Sequence, residues 1–518
     1  MQEKGRFYHT SMNFFSGLFY KLITLVGRFA VRTVFIYTLD KVYLGVHGLF
    51  SDILSLLSLA NLGFGAAIAY SLYKPLAEKD YTKVSSLIAL YRKVYFYVGL
   101  FILLAGLAVV PFMDVIIKNK PDIDHLTFYY LLFLGDTILS YWFFAYRTAL
   151  FRADQRAHII TYYHGIFFFI KSALQIFILV VYKNFTVYLI SSMACTILQN
   201  ICLAVKAGKD YPVFNHKKAP KLPREEVKHI FSNTSATMLQ KVSYKILNGT
   251  DSLLISSFVG LEWVGLLALY IELESNVAGV LTQVSGAMHA SLGHYFATED
   301  NEKGYHLFLR MEFLNFLLFG FSAICLATLS TPFIILWAGE DFTLTEFVVV
   351  ALIFRFFVEG YMNMMSVFRS SLGLFTQGRF LPLVAAGVNV ALSIGLSYPW
   401  GVAGIVLATP LTRILVNVWF MPWVILRKGF NKPVVPFYID YIKRFCVLAI
   451  AAAGMYLASL KIFQTGVTWP KFIGMMMICG SFSAGYLWLC FHRRDEFKFV
   501  VDIARNRCLK PMLKKFAH

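Results

Sequence analysis

The residues able to do chemistry in this chain are charges set inside long apolar runs. Near the start, Lys21, Arg28 and Arg32 interrupt such a run. At 100° per residue their spacings place all three in one narrow stripe of a helix. Guanidinium groups grip phosphate through paired N–H donors, so a cationic stripe facing a cavity suits an anion such as a phosphate. The competing reading is that Lys21 and Arg32 stand near the two membrane interfaces and extend their heads to water. Arg28 is the deepest of the three by count along the run. Lys241 and Lys245 stand one turn apart in the middle of a later run, and either line a cavity or pair with an acid. Arg355 and Glu359, also one turn apart, can pair locally. Lys171 and Arg413 are single cations within runs and read as paired structural charges. Asp136 and Asp251 are isolated acids that either hold a proton or pair with a lysine of another helix. Together with Glu272, Glu274 and Glu359 they are the candidates for coupling transport to an ion. An ionisable residue at bilayer depth costs about 2.5–3.5 kcal/mol on insertion scales, which is why each of these marks a functional site by default.

The elements that must position these charges are membrane-spanning helices. Of 518 residues, 58% are hydrophobic and only 15% charged, and the mean hydropathy is +0.63. A soluble chain carries about 25% charge. A bilayer core about 30 Å thick needs about 20 mostly apolar residues in helix. Runs of that kind fall at 12–37, 47–73, 94–117, 126–146, 157–182, 185–205, 229–258, 264–291, 308–338, 344–368, 378–398, 402–426, 445–463 and 472–491. Lipid gives the backbone no hydrogen-bond partner, so helices are expected. A barrel would alternate polarity residue by residue, and the stretch from Phe101 to Val110 is apolar throughout. The expected fold class is therefore an all-α polytopic membrane protein with about fourteen spans.

An even number of spans puts both termini on one side. Lys and Arg concentrate in the N-terminal segment, the alternate loops and the tail, which makes that side cytoplasmic by the positive-inside rule. The opposite side holds only Lys41, Lys118, Lys120, Lys183, Lys461 and Lys471. The net charge of +19 is then loop charge facing anionic headgroups. No nucleic-acid motif accompanies it, and nucleic acid is not an expected partner. The seven cysteines form neither a disulfide framework nor a metal-type pair. No Walker loop, nucleophile motif or paired metal ligands stand out, which argues against an ATP-driven pump and against an enzyme. No cofactor and no metal site are expected. The first apolar run is too long for a cleavable signal peptide.

The segment 206–228, lysine-rich and containing Pro212, Pro220 and Pro223, divides the chain. The expected organisation is an N-terminal six-helix lobe (1–205), this basic cytoplasmic linker (206–228), a C-terminal six-helix lobe (229–426), an accessory helix pair (427–491) and a basic tail (492–518). A faint repeat supports two lobes. Leu44-Gly45-Val46-His47-Gly48-Leu49 and Val259-Gly260-Leu261-Glu262-Trp263-Val264-Gly265-Leu266 both fall at the outer junction between the first two spans of a lobe. Within the last two spans, Val447–Leu460 and Phe472–Cys490 carry no charge.

Several stretches resemble bacterial polysaccharide transporters, the flippases for lipid-linked oligosaccharides within the multidrug/oligosaccharidyl-lipid/polysaccharide exporter superfamily. They are Tyr43-Leu44-Gly45 through Asn61-Leu62-Gly63-Phe64-Gly65, Ala153-Asp154-Gln155-Arg156 and Thr250-Asp251 through Val259-Gly260. Further on come Pro332 through Trp337, and Phe368-Arg369-Ser370-Ser371-Leu372-Gly373. The resemblance implies two lobes around a central cavity that opens alternately to each side. It implies an undecaprenyl-diphosphate-linked oligosaccharide as cargo, membrane lipids and glycan assembly proteins as partners, and a bacterial inner-membrane location in capsule or other surface polysaccharide biosynthesis. Family members often carry charges at places like Arg32, Asp251 and Arg369; Arg369 alternatively anchors a cytoplasmic helix end. On the residues alone, Lys21, Arg28, Arg32, Lys241, Lys245 and Arg355 are the candidate substrate-binding set. An ion-coupled multidrug or metabolite antiporter is the alternative, and would favour acids over cations in its cavity. A membrane glycan polymerase or acyltransferase would need a large outer loop, and the outer loops here are short.

Overall fold

The computed structural model describes residues 20–21, 23–58, 64–118, 123, 125–211, 220, 222–228, 230, 245–246, 249–298, 300–374, 377–378 and 380–503. Among these every assigned element is helical. The α-helices of six residues or more are, in chain order, α1 (23–38), α2 (Lys41–Leu57), α3 (Phe64–Ala77), α4 (Tyr81–Val109), α5 (Leu126–Trp142), α6 (Thr148–Ala153), α7 (Ala157–Val181) and α8 (Phe185–Asp210). Then follow α9 (Asp251–Phe258), α10 (Leu261–Thr298), α11 (Asn301–Trp337), α12 (Glu346–Ser371), α13 (Leu381–Arg413), α14 (Val435–Phe463), α15 (Trp469–Phe491) and α16 (Asp495–Ile503). Polar caps start several of them. Asp40 accepts from the Val42 N–H, Asp80 from Lys83 and Asn184 from Val187, each satisfying an amide that the helix leaves unpaired.

Among the described residues nine helices are long and apolar enough to cross a bilayer, and the pair Leu126–Trp142 and Ala145–Ala153, bent by 42°, makes a tenth. One of the nine, Leu381–Gly429, has 49 residues, about 73 Å at 1.5 Å per residue and more than twice the hydrocarbon thickness. It is two helices joined at a kink, where Gly401 takes φ 53° and ψ −128°, a conformation that glycine adopts readily. The break falls between the expected spans 378–398 and 402–426. The expected spans 12–37, 47–73 and 229–258 each run through residues outside the description. The chain is an all-α polytopic membrane protein.

The chain forms two compact units, Met1–Gly265 and Leu266–His518. In the first, Leu72, Leu87, Leu150 and Phe151 are fully buried where α3, α4 and α6 pack together. The Ala153–Arg156 motif clasps the end of α8 beside them. Tyr211 donates to Asp154 at 2.9 Å, and Arg156 reaches Asp210 at 2.8 Å. Burial and the Asp154 carboxylate push the Tyr211 phenol above its ordinary range, so it stays a donor. The two copies of the faint repeat pack on each other in this unit. A Cβ on Gly265 would stand 2.9 Å from the Gly45 nitrogen, a Cβ on Gly45 would meet the Leu261 carbonyl, and Lys41 pairs with Glu262. Backbones approach this closely only where side chains are absent, the usual basis of helix association in lipid.

In the second unit α11 is the central helix. α12 packs along it, and so do α14, α15 and α16. Phe313, Phe316, Phe319 and Ile324 of α11 form a core with Leu448 and Met455 of α14 and with Met475, Cys479 and Phe491 of α15. The uncharged terminal pair is thus bonded to α11 by apolar packing along its length. At one end a buried ionic network adds to it: Arg444 contacts Glu312 at 2.9 Å and Asp440 at 3.0 Å, and Arg494 also reaches Asp440. Arg444 is stacked among Phe313, Phe316 and Tyr441, and the rings seal the ion pair from solvent.

The glycine contacts separate two kinds of position. Gly45→Ala forces backbone displacement at the α2–α10 crossing and is expected to cost about 1–3 kcal/mol. Gly454→Ala in α14, with nothing within 4 Å of its Cβ position, is expected to be neutral or stabilising. Thermal unfolding of the purified variants in one detergent checks this; equal midpoints would contradict the packing described.

Candidate functional site

Each unit brings charges together inside its own bundle. In the first unit the stripe of α1 divides by exposure. Arg28 is exposed, while Lys21 and Arg32 are partly buried and both are engaged within the protein. Small residues set α1 against its neighbours: a Cβ at Gly27 would lie 3.3 Å from the Ser172 hydroxyl of α7. His47 of α2 lies within electrostatic reach of Arg32 and of Lys171 of α7, and its ring is framed by Phe35, Phe133 and Tyr188. Lys171 also reaches Asp136 of α5, which stands beside Thr196 of α8. The Asp136 Oδ1 atom is buried with no hydrogen-bond partner among the described residues. Five helices thus supply Arg32, His47, Asp136, Lys171 and Thr196 to one polar set. Lys171 makes no ion pair among the described residues. Sequence reasoning had read it as a paired structural charge.

A second polar set in this unit joins α2 to α9. Ser252 donates to Asp52 at 2.5 Å, and Lys245 donates to Ser55. Asp251 is 3% exposed and engaged within the protein. Lys241 lies outside the described residues. Asp52 was missed from sequence. It interrupts the apolar run of α2 just as Lys21 interrupts that of α1, so the same criterion finds it. His47 was read only as part of a repeat.

In the second unit Arg355 and Glu359 are one turn apart on α12 with 3.9 Å between Nε and Oε1, and Arg413 of α13 donates to the same Oε1 at 3.1 Å. Glu274 of α10 is buried within electrostatic reach of both Arg355 and Glu359. Three helices therefore bring two acids and two arginines into one balanced set. Glu272, two residues from Glu274 on α10, is partly buried and engaged within the protein. Arg369 is a helix-end anchor: it donates to the carbonyls of Leu374 (2.9 Å) and Gln377 in the loop after α12. The Glu312–Arg444 pair is not legible in the sequence, because Arg444 falls just before the expected span 445–463 and Glu312 near the start of 308–338. Among the described residues no group of three or more His, Cys, Asp or Glu is placed to hold a metal ion.

No family model and no curated protein matches the chain. Solved structures do. A lipid II flippase, MurJ, in an inward closed conformation is 16% identical; the match covers 94% of this chain and 99% of that one, with a TM-score of 0.63. An inward-facing multidrug resistance MATE family transporter of the MOP superfamily is 13% identical over 78% of this chain and 94% of that one, with a TM-score of 0.57. A mutant of the Vibrio cholerae MATE transporter VcmN is 14% identical over 83% and 98%, with a TM-score of 0.52. At these identities the likeness establishes a shared fold.

The Glu359 contacts predict strong coupling. Arg413 is nearly buried but Glu359 is 34% exposed, so Arg413→Met is expected to cost about 1.5–3 kcal/mol, the worth of a hydrogen bond to a charged group. Glu359→Gln in the same chain should restore a large part of the loss. A double-mutant cycle by denaturant unfolding measures it; additive losses would show that the two groups do not interact.

Proposed function

We propose that this chain is a flippase that carries an undecaprenyl-diphosphate-linked oligosaccharide from the inner to the outer leaflet of a bacterial cytoplasmic membrane, by alternating access, for surface polysaccharide assembly. The observation that carries this reading is the excess of cations in the first unit and the state they are in. Lys21, Arg28, Arg32, Lys171, Lys241 and Lys245 stand in expected spans against Asp52, Asp114, Asp136 and Asp251. Arg28 is exposed, and Lys171 has no ion pair among the described residues. A diphosphate supplies the negative charge that such a set lacks, and its oxygens accept several N–H donors at once. The shared fold with a protein described as a lipid II flippase supports the same class of cargo. The distribution of loop lysines and arginines supports a cytoplasmic location for both termini.

A second reading, an ion-coupled multidrug or metabolite antiporter, has its own support. Two of the similar structures are MATE transporters, and Asp136 keeps a buried oxygen without a hydrogen-bond partner. In this reading the acids carry the cargo or the coupling ion, and the cations serve structure.

Export assays separate the two. A charge-assisted contact to phosphate is worth about 1.5–3 kcal/mol, so Arg28→Ala is expected to slow lipid-linked glycan transport about 10- to 100-fold. The Lys241→Ala/Lys245→Ala double variant should do the same, with protein abundance unchanged. The readouts are surface glycan in cells and headgroup flipping in proteoliposomes. Normal export in both variants, with loss only in Asp136→Asn, would discard the flippase site and favour the antiporter.

A further inference from the structure

A cavity of about 640 Å³ opens at the end of the second unit that carries α16, within the size range of small-ligand sites. Its level in the membrane follows from α11. That helix has 37 residues, about 55 Å, some 25 Å more than a hydrocarbon core. Its charges, Glu302, Lys303, Arg310 and Glu312, all precede Phe313, and no Asp, Glu, Lys or Arg occurs again until Glu340. The excess length therefore projects at the N-terminal end, and the cavity lies beside it. On the neighbouring helix, Trp488 stacks on His492 just before Arg493 and Arg494, the arrangement of an interfacial aromatic belt. The cavity sits at the depth of lipid headgroups.

Its walls carry opposite charges. Lys303, His306 and Arg310 recur on one face of α11, while Asp495 and Glu496 open the first turn of α16. Arg310 lies 4.8 Å from the centre of the Phe499 ring, which fixes the guanidinium at the cavity wall. α16 is amphipathic: Phe497 and Val500 pack into the core, whereas Val501 is exposed. Such a helix lies in the interface plane with apolar side chains toward the acyl region. Asp495 is paired with Lys498 at 2.9 Å, so a purely anionic headgroup would meet Glu496, which has no ion pair among the described residues. A quaternary ammonium would offer those carboxylates no N–H. A phosphate joined to a primary ammonium by two carbons satisfies both walls.

We infer that this cavity binds the headgroup of an ethanolamine phospholipid, its phosphate against Lys303, His306 and Arg310 and its ammonium against Glu496, beside the Asp495–Lys498 pair. The inference is independent of the transport reading, because it rests on the surface of the second unit alone. The full-length protein, purified from membranes and exchanged into nanodiscs of equal phosphatidylethanolamine, phosphatidylglycerol and phosphatidylcholine, is released and weighed by native mass spectrometry. The wild type is expected to retain phosphatidylethanolamine preferentially. Lys303→Ala/Arg310→Ala should lose that retained lipid at least tenfold. Asp495→Asn/Glu496→Gln should keep a bound phospholipid but bind phosphatidylglycerol as well as phosphatidylethanolamine. Because the two variants change selectivity in different ways, general misfolding does not imitate the pattern. A wild type that retains phosphatidylglycerol or phosphatidylcholine equally would overturn the inference. So would a Lys303/Arg310 double variant that holds phosphatidylethanolamine like the wild type.

Discussion

Hydrocarbon offers neither a hydrogen-bond partner nor a counter-charge, and that property of the solvent acts on this molecule at every level. It makes the backbone helical wherever it spans. It removes the hydrophobic drive that would hold helices together in water, so contact depends on close fit. The crossing at Gly45 and Gly265 is a direct consequence, since the Gly45 nitrogen comes within 2.9 Å of where a side chain on Gly265 would begin. It also leaves each buried charge to find its partner within the protein.

The second unit shows how that last demand is met. An isolated ion at bilayer depth costs about 2.5–3.5 kcal/mol. Two opposite charges 3–4 Å apart attract by about 4–5 kcal/mol at an effective dielectric of about 20. One oxygen of Glu359 faces Arg355 at 3.9 Å and Arg413 at 3.1 Å, so a single acid offsets the insertion of two cations while tying α12 to α13. Arg444 does the same between Glu312 and Asp440, with aromatic rings closing over it. It joins a terminal helix pair that has no charge of its own in the hydrocarbon. The pair needs that anchor at one end only, because apolar packing along α11 supplies the rest.

What was legible in the sequence follows from the same physics. A span announces itself through local composition, so the apolar runs predicted helices that the structure contains. The kink at Gly401 was visible as a break between two expected spans. Charges at depth were visible as exceptions within those runs, and Lys21, Arg32, Asp136, Arg355 and Glu359 were found in that way. Their partners were not. The pairing of Glu359 with Arg413 joins residues 54 positions apart, and only helix packing decides it; the i, i+4 pairing with Arg355 alone was local enough to predict. Asp52 and Glu312 show a different failure. Each lies near the start of an apolar run and carries the same signal as Lys21, but a charge that close to a run's end is not separated by sequence from an interfacial one. Arg444 stands at the end of a run, where sequence distance cannot tell a loop charge from a buried one.

The two units differ in how completely their charges are matched, and this bears on the choice between an anionic and a cationic cargo. In the second unit Glu359 is paired with both Arg355 and Arg413, and a charged ligand of either sign would have to compete with pairs already made. In the first unit the cations outnumber the acids, Lys171 has no ion pair among the described residues, and Arg28 is exposed. A cationic ligand there would add to an existing excess of the same sign. A diphosphate would reduce it, and the binding would be strongest where the protein has left its own charges least compensated. Among the described residues of the first unit only Arg28 and Lys171 are candidates for such a role, because Lys21 and Arg32 are engaged within the protein and Lys245 donates to Ser55.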